Sequence, residues 1–353
     1  MRWAVAIPVG LLALGVVLVP LAAVVELPGE AEVQELLGQE YREPCGPIVA
    51  RGESGAWREE TPAPLERDGP SGVRAGHYVY LVGGIHEFDD DFVDVDSVEE
   101  VERLDLRTGE WEDMPPLPRG LNHVQVAAAD GHVFVLGGLT DHLSRFEPSG
   151  ESWRFDVEAE RWEPIAPLPT PRGAGAAVTI GDKIYVVGGV ANHRQLTTLE
   201  AYDVDTDTWE TLTPMTSARD HLGAAELDGM IYVLGGRRLD EIPLTDFERY
   251  DPKTDEWEQL PELPEGTAGF GFEEANGRLV ATGGENLAER ILSGRAWAYD
   301  PAEEEWSRLP DMRTPMHGHA MIEYRGRVRV FAGSHCSGFH PFRSSESLEV
   351  PPA

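Results

Sequence analysis

The sequence predicts an all-β repeat fold, a propeller or a solenoid, and two spaced series carry that prediction. Gly-Gly pairs recur at Gly83-Gly84, Gly137-Gly138, Gly188-Gly189, Gly235-Gly236 and Gly283-Gly284, with Gly333-Ser334 as a sixth mark. Tryptophans recur at Trp57, Trp111, Trp162, Trp209, Trp257 and Trp306. Both series step by roughly 50 residues, the size of one supersecondary unit that buries its faces against its neighbours. No stretch of the repeats has helical periodicity.

One period shows how the elements follow. Residues 174–180 (A-G-A-A-V-T-I) are small and apolar, suiting a strand crowded near a central axis. Lys183 to Val187 (K-I-Y-V-V) predicts a buried strand that runs into the glycines, where close packing or positive φ excludes a side chain. Thr198 to Tyr202 predicts a third strand. Asp203-Val-Asp-Thr-Asp-Thr is a polar turn, because Asp and Thr side chains bond nearby backbone amides. Trp209-Glu-Thr-Leu then begins a fourth strand.

The order Gly-Gly, a large apolar residue, six residues and tryptophan resembles the kelch repeat, in the pairs Leu104/Trp111, Phe155/Trp162, Tyr202/Trp209, Tyr250/Trp257 and Tyr299/Trp306. The resemblance spans about residues 48–353 and implies a β-propeller of four-stranded blades. The two ends complete each other. Trp57 precedes every Gly-Gly pair, so it opens a fourth strand with no blade of its own. The last repeat stops at a third strand, Ser347 to Val350. The expectation is a six-bladed kelch β-propeller whose N-terminal strand completes the C-terminal blade and removes exposed sheet edges.

Residues 3–25 carry no charge. A helix of that length spans roughly 30 Å of hydrocarbon, so residues 1–25 read as a signal-anchor or as a cleaved signal peptide. Arg2 precedes the segment, while Glu26, Glu30, Glu32 and Glu35 follow it. The positive-inside rule therefore places everything after Val25 outside the cytoplasmic membrane. Residues 26–47 read as a tether. That compartment permits disulfides, and Cys45 with Cys336 make one possible pair. The alternative is two unpaired thiols. The 63 acidic residues against 29 basic ones give a formal charge of −34, which argues against nucleic acid and against anionic membrane surfaces as partners.

In this fold the loops from strand four to strand one share a face with those from strand two to strand three, and rigid scaffolds carry function in such loops. His123, His221, His317 and His319 open first strands, and His86, His142, His193, His335 and His340 follow the glycine marks. Arg67, Arg119, Arg172 and Arg219 open the first strand of four blades. Arginine's planar fork suits carboxylates and phosphates, and in the kelch adaptors that this sequence resembles, basic residues at the mouth bind acidic peptides. These arginines with His123, His221, His317 and His319 are the candidate binding residues for an anionic peptide, protein loop or glycan. Binding would tighten below about pH 6.5, where histidines gain charge. The competing reading is structural: arginine recurs at this place in kelch repeats and would bond neighbouring blade carbonyls.

His317 and His319 lie two apart on a strand, and His335, Cys336 and His340 follow on the same rim. The four histidines are candidate ligands for zinc or copper, although a disulfide at Cys336 would remove the thiolate. Asp89, Asp90, Asp91, Asp94 and Asp96 are hard-oxygen candidates for calcium but lack the glycine of an EF-hand loop. No cofactor is expected. The H-E-x-x-H, G-x-S-x-G and P-loop motifs are absent. Galactose oxidase shares the kelch fold, yet every propeller tyrosine here fits a strand pattern. An exported N-acetylneuraminate epimerase also shares it. The leading expectation is therefore an exported or membrane-anchored recognition module, with a sugar-acid epimerase-like or other carbohydrate-active enzyme as the alternative.

Overall fold

A computed structural model of the chain describes residues 47–52, 55–87, 95–140, 146–238, 242–338 and 340–353. The apolar N-terminal segment, Cys45, His142 and the acidic stretch from Asp89 to Asp94 lie outside the described residues. Among the described residues no helix is long and apolar enough to cross a membrane.

Six four-stranded antiparallel sheets follow one another along the chain. Blade I is Ser71–Ala75, Tyr78–Val82, Val101–Asp105 and Glu110–Asp113; blade II is Gln125–Ala129, His132–Thr140, Glu147–Asp156 and Arg161–Pro164. Blade III is Ala176–Ile180, Lys183–Val187, Leu199–Asp203 and Thr208–Leu212; blade IV is Gly223–Leu227, Met230–Leu234, Phe247–Asp251 and Glu256–Gln259. Blade V is Gly271–Ala275, Arg278–Thr282, Ala296–Asp300 and Glu305–Leu309. Blade VI takes Ala320–Tyr324, Arg327–Phe331 and Ser345–Glu349 from the C-terminus and Arg58–Glu59 from the N-terminus, with Arg58 opposite Ser347 and Glu59 opposite Glu346. The first strands pack side by side in blade order, and that of blade VI lies against that of blade I.

Local chemistry sets the turns. Asp130-Gly131, Asp228-Gly229, Asn276-Gly277 and Arg325-Gly326 each have positive φ at both residues, the geometry that matches the twist of a tight hairpin. At the ends of third strands, Asp105, Asp156, Asp203, Asp251 and Asp300 accept backbone N–H bonds from two or three residues on.

Second strands are buried on both faces, and each splits its side chains between two junctions. Tyr80 and Val82 pack with Val133, Val135 and Phe155 of blade II, whereas Val79 and Leu81 pack with Ile322 and Phe331 of blade VI. The same division gives one apolar core at every junction between consecutive blades. This is why these strands are nearly continuous apolar runs. Each fully buried aliphatic or aromatic side chain contributes about 1.5–3 kcal/mol.

The five apolar/tryptophan pairs read from the sequence are direct cross-strand partners. The indoles also tie blades together. Trp162, Trp209, Trp257, Trp306 and Trp57 donate Nε1–H to the carbonyls of Pro115, Ala166, Thr213, Pro261 and Pro310, each just past the outer strand of the preceding blade, at 2.8–2.9 Å.

The glycine marks make a second set of ties. The second residue of each mark donates its amide to a carbonyl at the start of the next blade. The pairs are Gly84 to Leu121, Gly138 to Arg172, Gly189 to Arg219, Gly236 to Thr267 and Gly284 to Met316, at 2.8–3.0 Å. The sixth is Gly333 to Arg67 at 2.9 Å, which returns to blade I. The sixth mark is thus Ala332-Gly333, one residue earlier than the sequence suggested, and Ala332 takes the first place with φ 54°. At Gly83 (φ 59°) an added Cβ would lie 2.3 Å from the Leu121 carbonyl oxygen. Gly83→Ala is expected to destabilise the protein by about 2–3 kcal/mol, whereas Ala332→Gly should change stability by under about 1 kcal/mol. Denaturant unfolding of both variants checks this, and equal effects would remove the constraint.

Candidate functional site at the channel mouth

Directly after the carbonyls that receive these bonds, each blade contributes two residues to a ring at one end of the channel. They are Asp68-Gly69, Asn122-His123, Gly173-Ala174, Asp220-His221, Ala268-Gly269 and His317-Gly318. The second of each pair has φ between 48° and 60°. Backbone amides link five of these six residues to the preceding blade: Gly69 to Gly318, Ala174 to His123, His221 to Ala174, Gly269 to His221 and Gly318 to Gly269, at 2.7–3.0 Å. Below lies a cavity of about 200 Å³, lined mainly by the small residues of the first strands together with His123, His221, His319, Gln125 and Glu273. Burial, helped by Glu323, pushes the Glu273 carboxyl up to about 8.

The two expected loop classes do share this face, because isolated bridges join them, such as Asp68 to Ile85, Asp220 to Arg237 and His317 to Ser334. The connections from strand two to strand three carry short hairpins there: Ile85–Glu87 with Val95–Ser97, Val190–Ala191 with Arg194–Gln195, and Glu285–Asn286 with Ile291–Ser293. Ile48–Val49 adds to the last as a parallel strand.

The mouth carries a dense polar network. Asp220 Oδ1 meets His221 Nδ1 at 2.6 Å and accepts from Arg237 Nε at 3.1 Å, and its Oδ2 accepts from Gln195 at 2.8 Å. Burial would raise Asp220, but His221, Arg237 and Gln195 outweigh it and hold it at about 2. Glu285 Oε2 accepts from Ser337 at 2.9 Å, and its Oε1 lies 3.6 Å from Arg237 and 3.7 Å from His317. His317 Nε2 lies 2.8 Å and 2.9 Å from the carbonyls of Cys336 and Gly338. Burial lowers His317, yet Glu285 and Asp68 lift it above its ordinary value. Burial keeps His123 and His221 low, with the neighbouring Arg237 acting the same way, and the two rings meet edge to face with centroids 4.9 Å apart. Burial takes His319 down to about 3. Any gain of charge at these three is therefore moved to lower pH than for a free histidine.

The candidate arginines are elsewhere than expected. Arg67, Arg172 and Arg219 are fully buried, so they are not at the binding surface. Each forms an ion pair inside its blade, with Glu102, with Glu200 (2.6 Å) and with Glu248 respectively. They also donate to carbonyls, among them those of Gly83 and Gly235, which begin glycine marks, and of Val186, next to last in its second strand. Arg119 is exposed, 3.6 Å from Glu151, and does not share their place; Leu121 does. The metal candidates do not converge either. His317 is held by two carbonyls, His319 Nε2 lies 3.2 Å from Thr282 between blades V and VI, and exposed His335 stacks on Phe342. Among the described residues no group of three or more possible ligands could hold a metal ion. Cys336 is buried and disulfide-bonded, which takes its thiolate out of any ligand set; Cys45, the other cysteine of the chain, lies outside the described residues.

An internal comparison explains the arginines and exposes residues that sequence reading missed. Opposite each buried arginine the third strand carries Glu102, Glu200 or Glu248. In blades II and V, where Leu121 and Thr267 replace the arginine, the same strand position holds Trp153 and Trp297. Blade VI breaks the rule: Met316 replaces the arginine while Glu346 remains, 2% exposed. Burial pushes that carboxyl up to about 7. The acidic partners were legible only as unassigned residues, because their partners are distant in sequence; Arg237 reads from the sequence as a mouth-loop arginine, but without its partners.

Arg172→Ala would leave Glu200 buried and unpaired, and is expected to cost about 3–5 kcal/mol. Unfolding, rather than a selective loss of binding, is the readout, and a stable variant with weakened ligand binding would contradict the structural role. Glu346 has a raised folded pKa, so it favours the fold at low pH and loses that contribution as pH rises through about 7. Glu346→Gln should therefore stabilise the protein by about 2 kcal/mol near pH 8.5 and by little near pH 4. Thermal unfolding across pH checks the crossover, and a pH-independent difference would exclude it.

Comparison with known proteins agrees with this architecture. The family described as the KLHDC2/KLHL20/DRC7 Kelch-repeats domain matches residues 69–284, well over half the chain, and the Kelch motif matches residues 266–313. Kelch-like protein terF of Aspergillus terreus is 31% identical over 119 residues, covering 33% of this chain and 26% of that protein. Kelch repeat and BTB domain-containing protein 12 of Danio rerio is 31% identical over 141 residues, covering 38% and 22% respectively. Kelch-like protein 25 of Xenopus tropicalis is 31% identical over 148 residues, covering 41% and 24%. The chain thus spans about a quarter of the length of the curated relatives it matches. Six four-stranded blades, five in-register apolar/tryptophan pairs and a family match over most of the repeats lead to one conclusion: the chain belongs to the kelch-repeat family.

Proposed function

We propose that the protein is a non-enzymatic recognition module, held outside the cytoplasmic membrane by its N-terminal segment or secreted after its removal. It docks an acidic peptide or protein loop on the mouth face. The observation that carries this reading is where the exposed apolar groups lie. Among the described residues the exposed large hydrophobics are Ile48 and Ile242. Both belong to mouth-face segments, Ile48 on the blade V hairpin and Ile242 in the blade IV loop. Exposed Arg194 and Arg238 stand on the neighbouring loops of blades III and IV, next to Gln195 and Arg237, which both bond Asp220. A face that offers both apolar groups and arginines suits a protein segment better than a glycan. In a chain of charge −34, local arginines would also steer an acidic partner to this face.

The enzyme alternative finds less support. Asp220 and His221 have the geometry of an oriented general base. However, His221 Nε2, where a substrate proton would go, lies 3.3 Å from Arg237 Nη2.

An array of acidic and basic peptides tests the proposal. Acidic peptides should bind preferentially, and more weakly as salt rises. Arg194→Glu with Arg238→Glu should reduce affinity at least about tenfold, while Lys253→Glu, in an outer turn on the opposite face, should not. Undiminished binding by the double variant would refute this docking face.

A further inference from the structure

We propose that the carboxylate of Asp68 receives an organic cation, a primary ammonium or a guanidinium carried by the ligand, at the centre of the channel mouth. This goes beyond docking on the rim and is testable without it. Four blades place a polar side chain at the same ring position: Asp68, Asn122, Asp220 and His317. In three of them the connection from strand two to strand three of the preceding blade supplies a partner. Asn122 Nδ2 donates to Ser97 at 2.7 Å, Gln195 donates to Asp220 at 2.8 Å, and Glu285 lies 3.7 Å from His317. The matching connection for Asp68 belongs to blade VI, and its two buried hydroxyls, Ser334 and Ser337, are committed elsewhere. Ser334 donates to the Gly338 carbonyl at 3.0 Å and Ser337 to Glu285 at 2.9 Å. Asp68 accepts no side-chain hydrogen bond and forms no ion pair among the described residues, yet it is only 4% exposed.

Its direction is set by glycine. Asp68 Oδ1 lies 2.2 Å from where a Cβ on Gly318 would stand, so any other residue there would displace the carboxylate. Gly318 and Gly69 both line the channel. The carboxylate therefore lies against the Gly318 backbone of the mouth ring.

Charge balance points the same way. Asp68, Asp220 and Glu285 face Arg237 and His317, while burial keeps His123 and His221 neutral. Even with His317 charged, the three carboxylates outnumber the two cations, and a monovalent cation would reduce that excess. Burial lifts Asp68 to about 6, only partly offset by His317 and Arg237 and reinforced by Glu285. Near pH 7.5 the group is thus ionised and desolvated, a state that a cation stabilises.

The test titrates the full chain with butylammonium and with methylguanidinium, using butanol as the uncharged comparison, followed by calorimetry or NMR. Asp68→Asn is the variant, and Asn122 holds the equivalent place in blade II, so the turn accommodates asparagine. Saturable binding of the cations near pH 7.5, at least about tenfold weaker in Asp68→Asn and lost towards about pH 5 as Asp68 gains a proton, is the expected result. Butanol should not compete. Equal cation binding by the variant, no cation binding by the wild type, or butanol binding as well as butylammonium would each overturn the assignment. Failure of the arginine pair on the rim would leave these titrations unchanged, so the two proposals fail separately.

Discussion

The amide of the second residue in each glycine mark, donating to the carbonyl that opens the next blade, is the contact on which the rest depends. It requires the chain to turn with positive φ immediately after a buried strand, and it places that carbonyl where a side chain would begin. Glycine answers both demands. Ala332 meets the first with φ 54°, which shows that the requirement is on the backbone more than on composition. Since Gly333 passes the bond to Arg67, the series has no free end. The same bond presses the loop entering each blade against the turn leaving the previous one. The mouth ring, with its left-handed residues, is built by that contact.

Behind this ring the blades solve one packing problem in two ways. Three fill the space with a buried arginine–glutamate pair whose Nη donors also reach backbone carbonyls, while each Nε is left without a partner. Two fill it with tryptophan opposite an uncharged residue. A buried charge left without its counter-charge is costly, which is why arginine and glutamate travel together in blades I, III and IV. Blade VI keeps the acid without the base. It is also the blade assembled from both chain ends, so its Glu346 sits in the sheet where the two termini meet.

Much of this was legible in advance because it is local or periodic. Trp209 opposite Tyr202 and the aspartates that hold the outer turns follow from residue type and short spacing. The completing strand at Arg58 followed from counting what each end lacked. The mouth was less legible. Assigning Arg67, Arg172 and Arg219 to loops on the correct face did not say which way they point, and they point inward. Arg119 looked equivalent but stands two residues before the true place, which Leu121 occupies. Histidines expected to titrate together, such as His317 and His319, stand in different environments, with the left-handed Gly318 between them and the strand starting only at Ala320.

By itself the sequence determined the repeat, the four-stranded blade, the number of blades and the way the termini share one of them, since these depend on spacing and on turn chemistry within about 50 residues. Tertiary structure alone decided which charges are buried and which are offered. That outcome depends on partners distant along the chain: Glu200 for Arg172, Gln195 and Arg237 for Asp220, and the hydroxyls of blade VI that turn away from Asp68. A carboxylate's role is set by what surrounds it, and only the assembled blades fix those surroundings.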